Sequence, residues 1–290
     1  MTRRGLLWLA ASRRNSAVQL SLGTYGMQRM EVDRALALIQ EIGYDGAELC
    51  LMPGWPSEPS KLDAAARRRI RRQPLPVPTL LENFNLLASS ADHARTLDRI
   101  RAAATLAHDV APKKTPLLQS VLSGASRDWE QVKDQMAARL ADWARVAHEN
   151  RLRLAVKSHF GSASDTPEKL TWLLDQVRSP ALSAIYDYGH FQLLGLDLVK
   201  TLDTLLSRVS FITVKDSRLA DGQARFLLPG EGTVDYQLYF DQLKVRKYRG
   251  WVLAEVSRQL QTAAGYDAEA SARRAYQTMS TALRAAGMRA

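Results

Sequence analysis

Several apolar runs in this chain end on residues that can move protons or hold charge. "LRLAVK" (152–157) closes on Lys157, with His159 two positions later. "SAIYD" closes on Asp187, with His190 three residues on, and "WVLAE" closes on Glu255. "FITVKD" carries Lys215 and Asp216, and Arg218 lies just beyond them. Carboxylates and imidazoles at such positions suit general acid and base work. A lysine ammonium has three donors and no acceptor, so it can pair with a carboxylate or stabilise a developing oxyanion, but cannot ligate a metal while charged. Lysine is rarely buried without a partner, so Lys157 raises the question of what faces it.

The elements that must position these residues alternate in type. Strand-like runs are Val18–Thr24, Asp45–Cys50, Val77–Glu82, Leu117–Leu122, Leu152–Ser158, Ser183–Tyr188, Val209–Lys215 and Trp251–Val256. Helical periodicity occupies Val32–Ile42, Ala91–His108, Trp129–Glu149, Pro167–Val177, Asp235–Val245 and Ala268–Ala286. Thr166-Pro167 is a helix start with proline at the first helical position. Strands alternating with helices predict a parallel sheet. Eight such units in 290 residues fit an α/β (β/α)8 TIM barrel. In that fold the active site lies at the C-terminal strand ends, which is where the ionisable residues fall. Glu82 and Asn83 end the third strand and are candidates for binding hydroxyls. Strand ends also meet water in any barrel, so the weight rests on Asp187 and Glu255, each closing an apolar run.

Bulk properties narrow the classes. The formal net charge is +10, which favours anionic partners. The basic run Arg67–Arg72 has no interleaved aromatics and reads as a solvated helix, so nucleic acid is not expected as a partner. A single cysteine, Cys50, excludes an internal disulfide framework and a cysteine zinc cage. No run is long enough to cross a membrane. Residues 1–17 form a basic leader in which Thr2-Arg3-Arg4 precedes a short apolar stretch, as in a degenerate twin-arginine signal. Residues 18–290 are read as one barrel domain. The expected location is the cytoplasm, or the periplasm if that leader directs export.

The segments "IGYDGAELC" (42–50), "RLAVKSHFG" with "DTPEKLTWLL", "IYDYGHF", "FITVKDS", "LPGEGTVDY" and "YRGWVLAEV" occur in an order that resembles the sugar phosphate isomerase/epimerase family of xylose isomerase-like TIM barrels. The resemblance runs from about Val18 to the C-terminus. It implies a divalent ion, often manganese, held by a glutamate, an aspartate, a histidine and a glutamate at the ends of strands five to eight. It also implies proton transfer through an enediolate-like intermediate. Asp187 matches the aspartate, Glu255 the last glutamate, and His190 the histidine of Asp-x-x-His that contacts substrate oxygens. The strand-five glutamate falls on Lys157, with His159 matching the end of its triplet. The strand-seven histidine falls on Thr213, with Lys215 and Asp216 retained.

Two of four ligands are therefore replaced. The expectation is that no cofactor is bound, with Asp187 and Glu255 the ligands if manganese or another divalent ion is. Lys157 then supplies positive charge between Asp187 and Glu255. The expected function is a sugar or sugar-acid isomerase or epimerase with Lys157, Glu255 and His190 catalytic, and His159, Asp187, Glu82, Asn83, Lys215 and Arg218 binding a small carbohydrate or sugar acid. The alternatives are a related lyase or dehydratase and a non-catalytic carbohydrate-binding relative. A homo-oligomer is compatible with the fold.

Overall fold

The computed structural model describes residues 18–123 and 128–289. The leader expected over residues 1–17 lies outside the described residues. Eight parallel strands close into a barrel: β1 (Gln19–Gly23), β2 (Gly46–Cys50), β3 (Thr79–Asn85), β4 (Leu117–Ser123), β5 (Arg153–Lys157), β6 (Leu182–Tyr186), β7 (Val209–Val214) and β10 (Trp251–Ala254). The ring closes where Leu20 of β1 pairs with Val252 of β10. The other two strands, β8 (Asp216–Ala220) and β9 (Gln223–Leu227), form an antiparallel hairpin directly after β7. The principal helices are α1 (Val32–Ile42), α2 (Ala64–Arg72), α3 (Ser90–Val110), α4 (Trp129–Glu149), α5 (Pro167–Val177), α6 (Tyr188–Gln192), α7 (Leu198–Leu205), α8 (Tyr236–Val245), α9 (Arg258–Gln261) and α10 (Ala268–Ala285). As the sequence predicts, Thr166 caps α5: its hydroxyl accepts the Lys169 N–H ahead of Pro167 at the first turn. Arg67 and Arg69 of α2 pair with Asp109 and Asp33 on the surface, in keeping with a solvated helix.

Strand periodicity of two sorts the barrel residues into two cores. Leu20, Leu49, Leu80, Leu118, Val156, Tyr186, Ile212 and Val252 join the helices in the large outer core. Leu117, Ala155, Ile185, Phe211 and Leu253 pack together as a separate cluster inside the barrel. The same inward parity continues along β5 from Ala155 to Lys157, along β6 from Ile185 to Asp187, past β7 to Lys215, and past β10 to Glu255. One alternation thus builds an apolar floor and then lifts four charged groups above it. A polar layer also lines the interior: Thr79 and Gln119 both donate to Glu48 Oε2, the former over 3.1 Å. No helix among the described residues is long and apolar enough to cross a membrane.

Candidate active site

Four charges form a closed ring at the C-terminal end of the barrel. The Lys157 ammonium lies 2.8 Å from Asp187 Oδ2 and 2.5 Å from Glu255 Oε2. The Lys215 ammonium lies 2.5 Å from the same Asp187 oxygen and 2.9 Å from Glu255 Oε1. Lys157, Lys215 and Asp187 are buried, while Glu255 keeps 14% of its side chain exposed. Asp187 precedes α6 but does not cap it, which leaves its carboxylate to the lysines. Two positive and two negative charges cancel, and each charge has two partners. That arrangement meets the requirement that buried ions be paired and hydrogen-bonded. Leaving one member of such a set uncompensated costs about 3–5 kcal/mol.

Protonation follows from the ring. Burial alone would pull the Lys157 ammonium down, but Asp187 and Glu255 outweigh it and hold Lys157 well above its ordinary value. Burial would raise Glu255, yet Lys157 and Lys215 bring it down to about 2. Asp187 is held low by the same contest. A lysine so firmly protonated is a poor imine-forming nucleophile, which leaves electrostatics as what the ammonium groups can supply.

Two histidines stand over the ring, and one peptide unit fixes both. The Phe160 N–H donates to His190 Nδ1 over 3.2 Å, so the His190 proton sits on Nε2, 3.5 Å from Asp187 Oδ2. His159 Nδ1 faces the Phe160 carbonyl oxygen at 2.8 Å, so His159 must donate there and its Nε2 carries a lone pair. Burial, helped by the Lys215 charge, pushes both imidazoles below their ordinary value, His190 well below it. The pair, with ring centroids 4.3 Å apart, thus offers one neutral acceptor and one neutral donor.

The hairpin β8–β9 closes over these groups. The Phe226 ring lies 5.1 Å from the His190 ring, and Lys215 Nζ lies 5.3 Å from its centroid. Gln259 holds β9 in place, accepting the Phe226 N–H and donating to the Ala224 carbonyl oxygen. Asp216 pins the loop that follows by accepting the N–H groups of Gly230 and Val234. Beneath lies a cavity of about 290 Å³ whose wall includes Asn83, His159, His190, Lys215, Phe226 and Glu255.

The remaining candidates lie elsewhere. Glu82 turns away from the cavity and its carboxylate meets the Arg99 guanidinium of α3, because Leu81 and Asn83 take the inward parity on β3. Arg218 is exposed on the hairpin opposite Arg225, away from the cavity. Lys215 is a member of the charge ring itself, not a peripheral contact. Its parity with Thr213 on β7 was the available signal. Phe226 had no such signal, although Asp221-Gly222, both at positive φ, mark the two-residue turn that builds its hairpin.

The donor set does not match a divalent ion. The positions of two expected ligands hold Lys157 and Thr213, and ammonium groups occupy the space between Asp187 and Glu255. Among the described residues no three histidine, cysteine, aspartate or glutamate side chains converge as a metal site.

Comparison with known proteins fits this architecture. The family model for the xylose isomerase-like TIM barrel matches residues 36–282. The chain belongs to that family. It is similar to an inosose dehydratase of Geobacillus thermodenitrificans, 25% identical over 157 residues, which are 49% of this chain and 51% of that protein. The match thus spans about half the length of that curated relative. The fold is shared with the IOLI protein solved with a bound zinc atom, at TM-score 0.74, 15% identity, and coverage of 92% of this chain and 98% of that one. It is also shared with the 3-keto-D-glucoside 4-epimerase YcjR from E. coli, at TM-score 0.70, 15% identity, and coverage of 91% and 99%.

Proposed function

We propose that the protein moves a proton beside the carbonyl of a small sugar or sugar acid, as an isomerase or epimerase does, without a divalent metal. The observation that carries this reading is the neutral ring of Lys157, Asp187, Lys215 and Glu255 beneath two tautomerically fixed histidines at a cavity of monosaccharide size. The carbonyl oxygen of the substrate lies toward Lys215. His159 Nε2 takes the proton from the adjacent carbon, the C–H electron pair becomes the new carbon–carbon double bond, and negative charge collects on the oxygen. Lys215 stabilises that charge in a low-dielectric site, where fixed charge acts most strongly. The His190 Nε2–H donates to the same oxygen or to a neighbouring hydroxyl. Lys157 holds Asp187 and Glu255 in place so that Lys215 keeps its position. Glu255, held at about 2, is a weak base, so the proton goes to the imidazole. Returning the proton to the opposite face gives an epimer, and returning it to the neighbouring carbon gives an isomer.

The inosose dehydratase relative favours a second reading on the same intermediate, in which the enolate re-forms its carbonyl and expels a β-hydroxyl that leaves as water with the proton His159 has taken. Both readings are tested by incubating chelator-treated protein in D₂O with a panel of ketoses, inososes and sugar acids and following the proton beside the carbonyl by NMR. Exchange that survives chelation and is abolished in His159→Ala is expected. Exchange that appears only after manganese is added refutes the metal-free chemistry. A full panel without exchange leaves a carbohydrate-binding relative.

A further inference from the structure

One cation on the cavity wall takes no part in the ring. Arg258, on the first turn of α9, lines the same cavity as Lys215 and Glu255. Its guanidinium is exposed and makes no ion pair or hydrogen bond among the described residues. Its backbone is nevertheless fixed on both sides: the Ser257 hydroxyl accepts the Leu260 N–H, and Gln259 is bonded to the hairpin through both ends of its amide.

The charges around it cancel. Lys157 and Lys215 are balanced by Asp187 and Glu255. His159 and His190 each have one nitrogen committed to the Phe160 peptide unit and are neutral. Glu255 is the single carboxylate on the cavity wall among the described residues, and it is already shared by two ammonium groups. The protein groups around the cavity thus leave one uncompensated positive charge, that of Arg258, at its mouth.

We infer that the cavity selects an acid: a sugar-sized hydroxy or keto acid with one carboxylate, which Arg258 receives while the reacting carbonyl lies toward Lys215. This rests on the proton-transfer reading above and narrows its substrate. The planar fork of a guanidinium matches a carboxylate through two parallel hydrogen bonds. A phosphate dianion would leave one charge unmatched by a single guanidinium. The size agrees, since about 290 Å³ lies at the small end of ligand pockets, which run to roughly 1,000 Å³. The formal charge of +10 draws anions toward the whole molecule.

The test is calorimetric titration of the full-length protein and of Arg258→Gln with four probes. D-Glucuronate and D-gluconate are acids, D-glucose is neutral, and D-glucose 6-phosphate carries a phosphate. Arg258 is exposed, and thermal denaturation confirms that the variant folds. The expected result is that an acid binds wild type at least about tenfold more tightly than glucose and more tightly than the phosphate, and that Arg258→Gln erases this preference. Equal affinity for glucose, a preference for the phosphate, a preference that survives Arg258→Gln, or no binding of either acid overturns the inference. Failure here is distinct from failure of the function: solvent exchange into a neutral ketose without acid preference keeps the chemistry and removes the selectivity. Acid binding without exchange in any substrate does the reverse.

Discussion

Glu48→Gln gives the sharpest check on the electrostatics of the barrel interior. Glu48 is 1% exposed, and burial, with the Glu255 charge adding to it, pushes its carboxyl from 4.5 up to about 8. Lys157 and the Thr79 hydroxyl oppose the shift without cancelling it. Below pH 4.5 the carboxyl is protonated in both folded and unfolded chains, and it contributes no pH dependence. Between 4.5 and 8 the unfolded chain has released the proton and the folded chain has not, so raising the pH favours unfolding. The slope is about 1.4 kcal/mol per pH unit and flattens as the folded carboxyl begins to ionise near 8, so the difference accumulates to about 3 kcal/mol at pH 7 and about 4 kcal/mol at pH 8. Glutamine keeps an acceptor for Thr79 and Gln119 but does not titrate. The stability of Glu48→Gln relative to wild type should therefore climb along that slope from pH 5 to 8, whatever constant offset the amide introduces. Urea unfolding at pH 5, 6, 7 and 8, followed by the fluorescence of the chain's six tryptophans, measures the difference curve. A flat difference would mean that Glu48 ionises normally inside the barrel, and the assignment of the interior as a place hostile to an extra negative charge would fail.

Lys157→Glu combined with Thr213→His restores the ligand types that the family resemblance implies, and manganese titration should show about one ion per chain where wild type binds none tightly. A folded double variant that takes up no more manganese than wild type would show that these two positions are not the missing ligands. Phe226→Ala uncovers His159 and His190, so both imidazoles, held low by burial, should titrate closer to 6.5 in an NMR pH series. Unchanged histidine titration would mean that Phe226 does not keep water from them.

Much of this architecture can be read from the chain because a barrel repeats one rule. Apolar runs of strand length between amphipathic helices announce the eight units, and parity along each strand then decides which ends meet. Lys157, Asp187 and Glu255 share that inward parity and converge. The same rule places Lys215, which closes the apolar run Val209–Lys215, on that side too, but parity alone does not say whether its ammonium meets a substrate or the two carboxylates. Glu82 illustrates the converse. In "TLLENFN" apolar residues occupy both parities, so the pattern does not say which side faces Arg99 and which the cavity. The hairpin carrying Phe226 had only its Asp-Gly turn as a marker, and its contact with the histidines depends on Gln259, which lies 33 residues from Phe226.

The turn after β10 compresses three tasks into five residues. Glu255 belongs to the charge ring, Arg258 faces the cavity mouth, and Gln259 tethers the hairpin that roofs it. A one-residue insertion between 255 and 259 would leave the barrel strands paired as before, yet it would move the tether and the mouth cation together. Reactivity, choice of guest and shelter from water would then change in a single step, which makes this pentapeptide the place where the barrel can be re-purposed without being refolded.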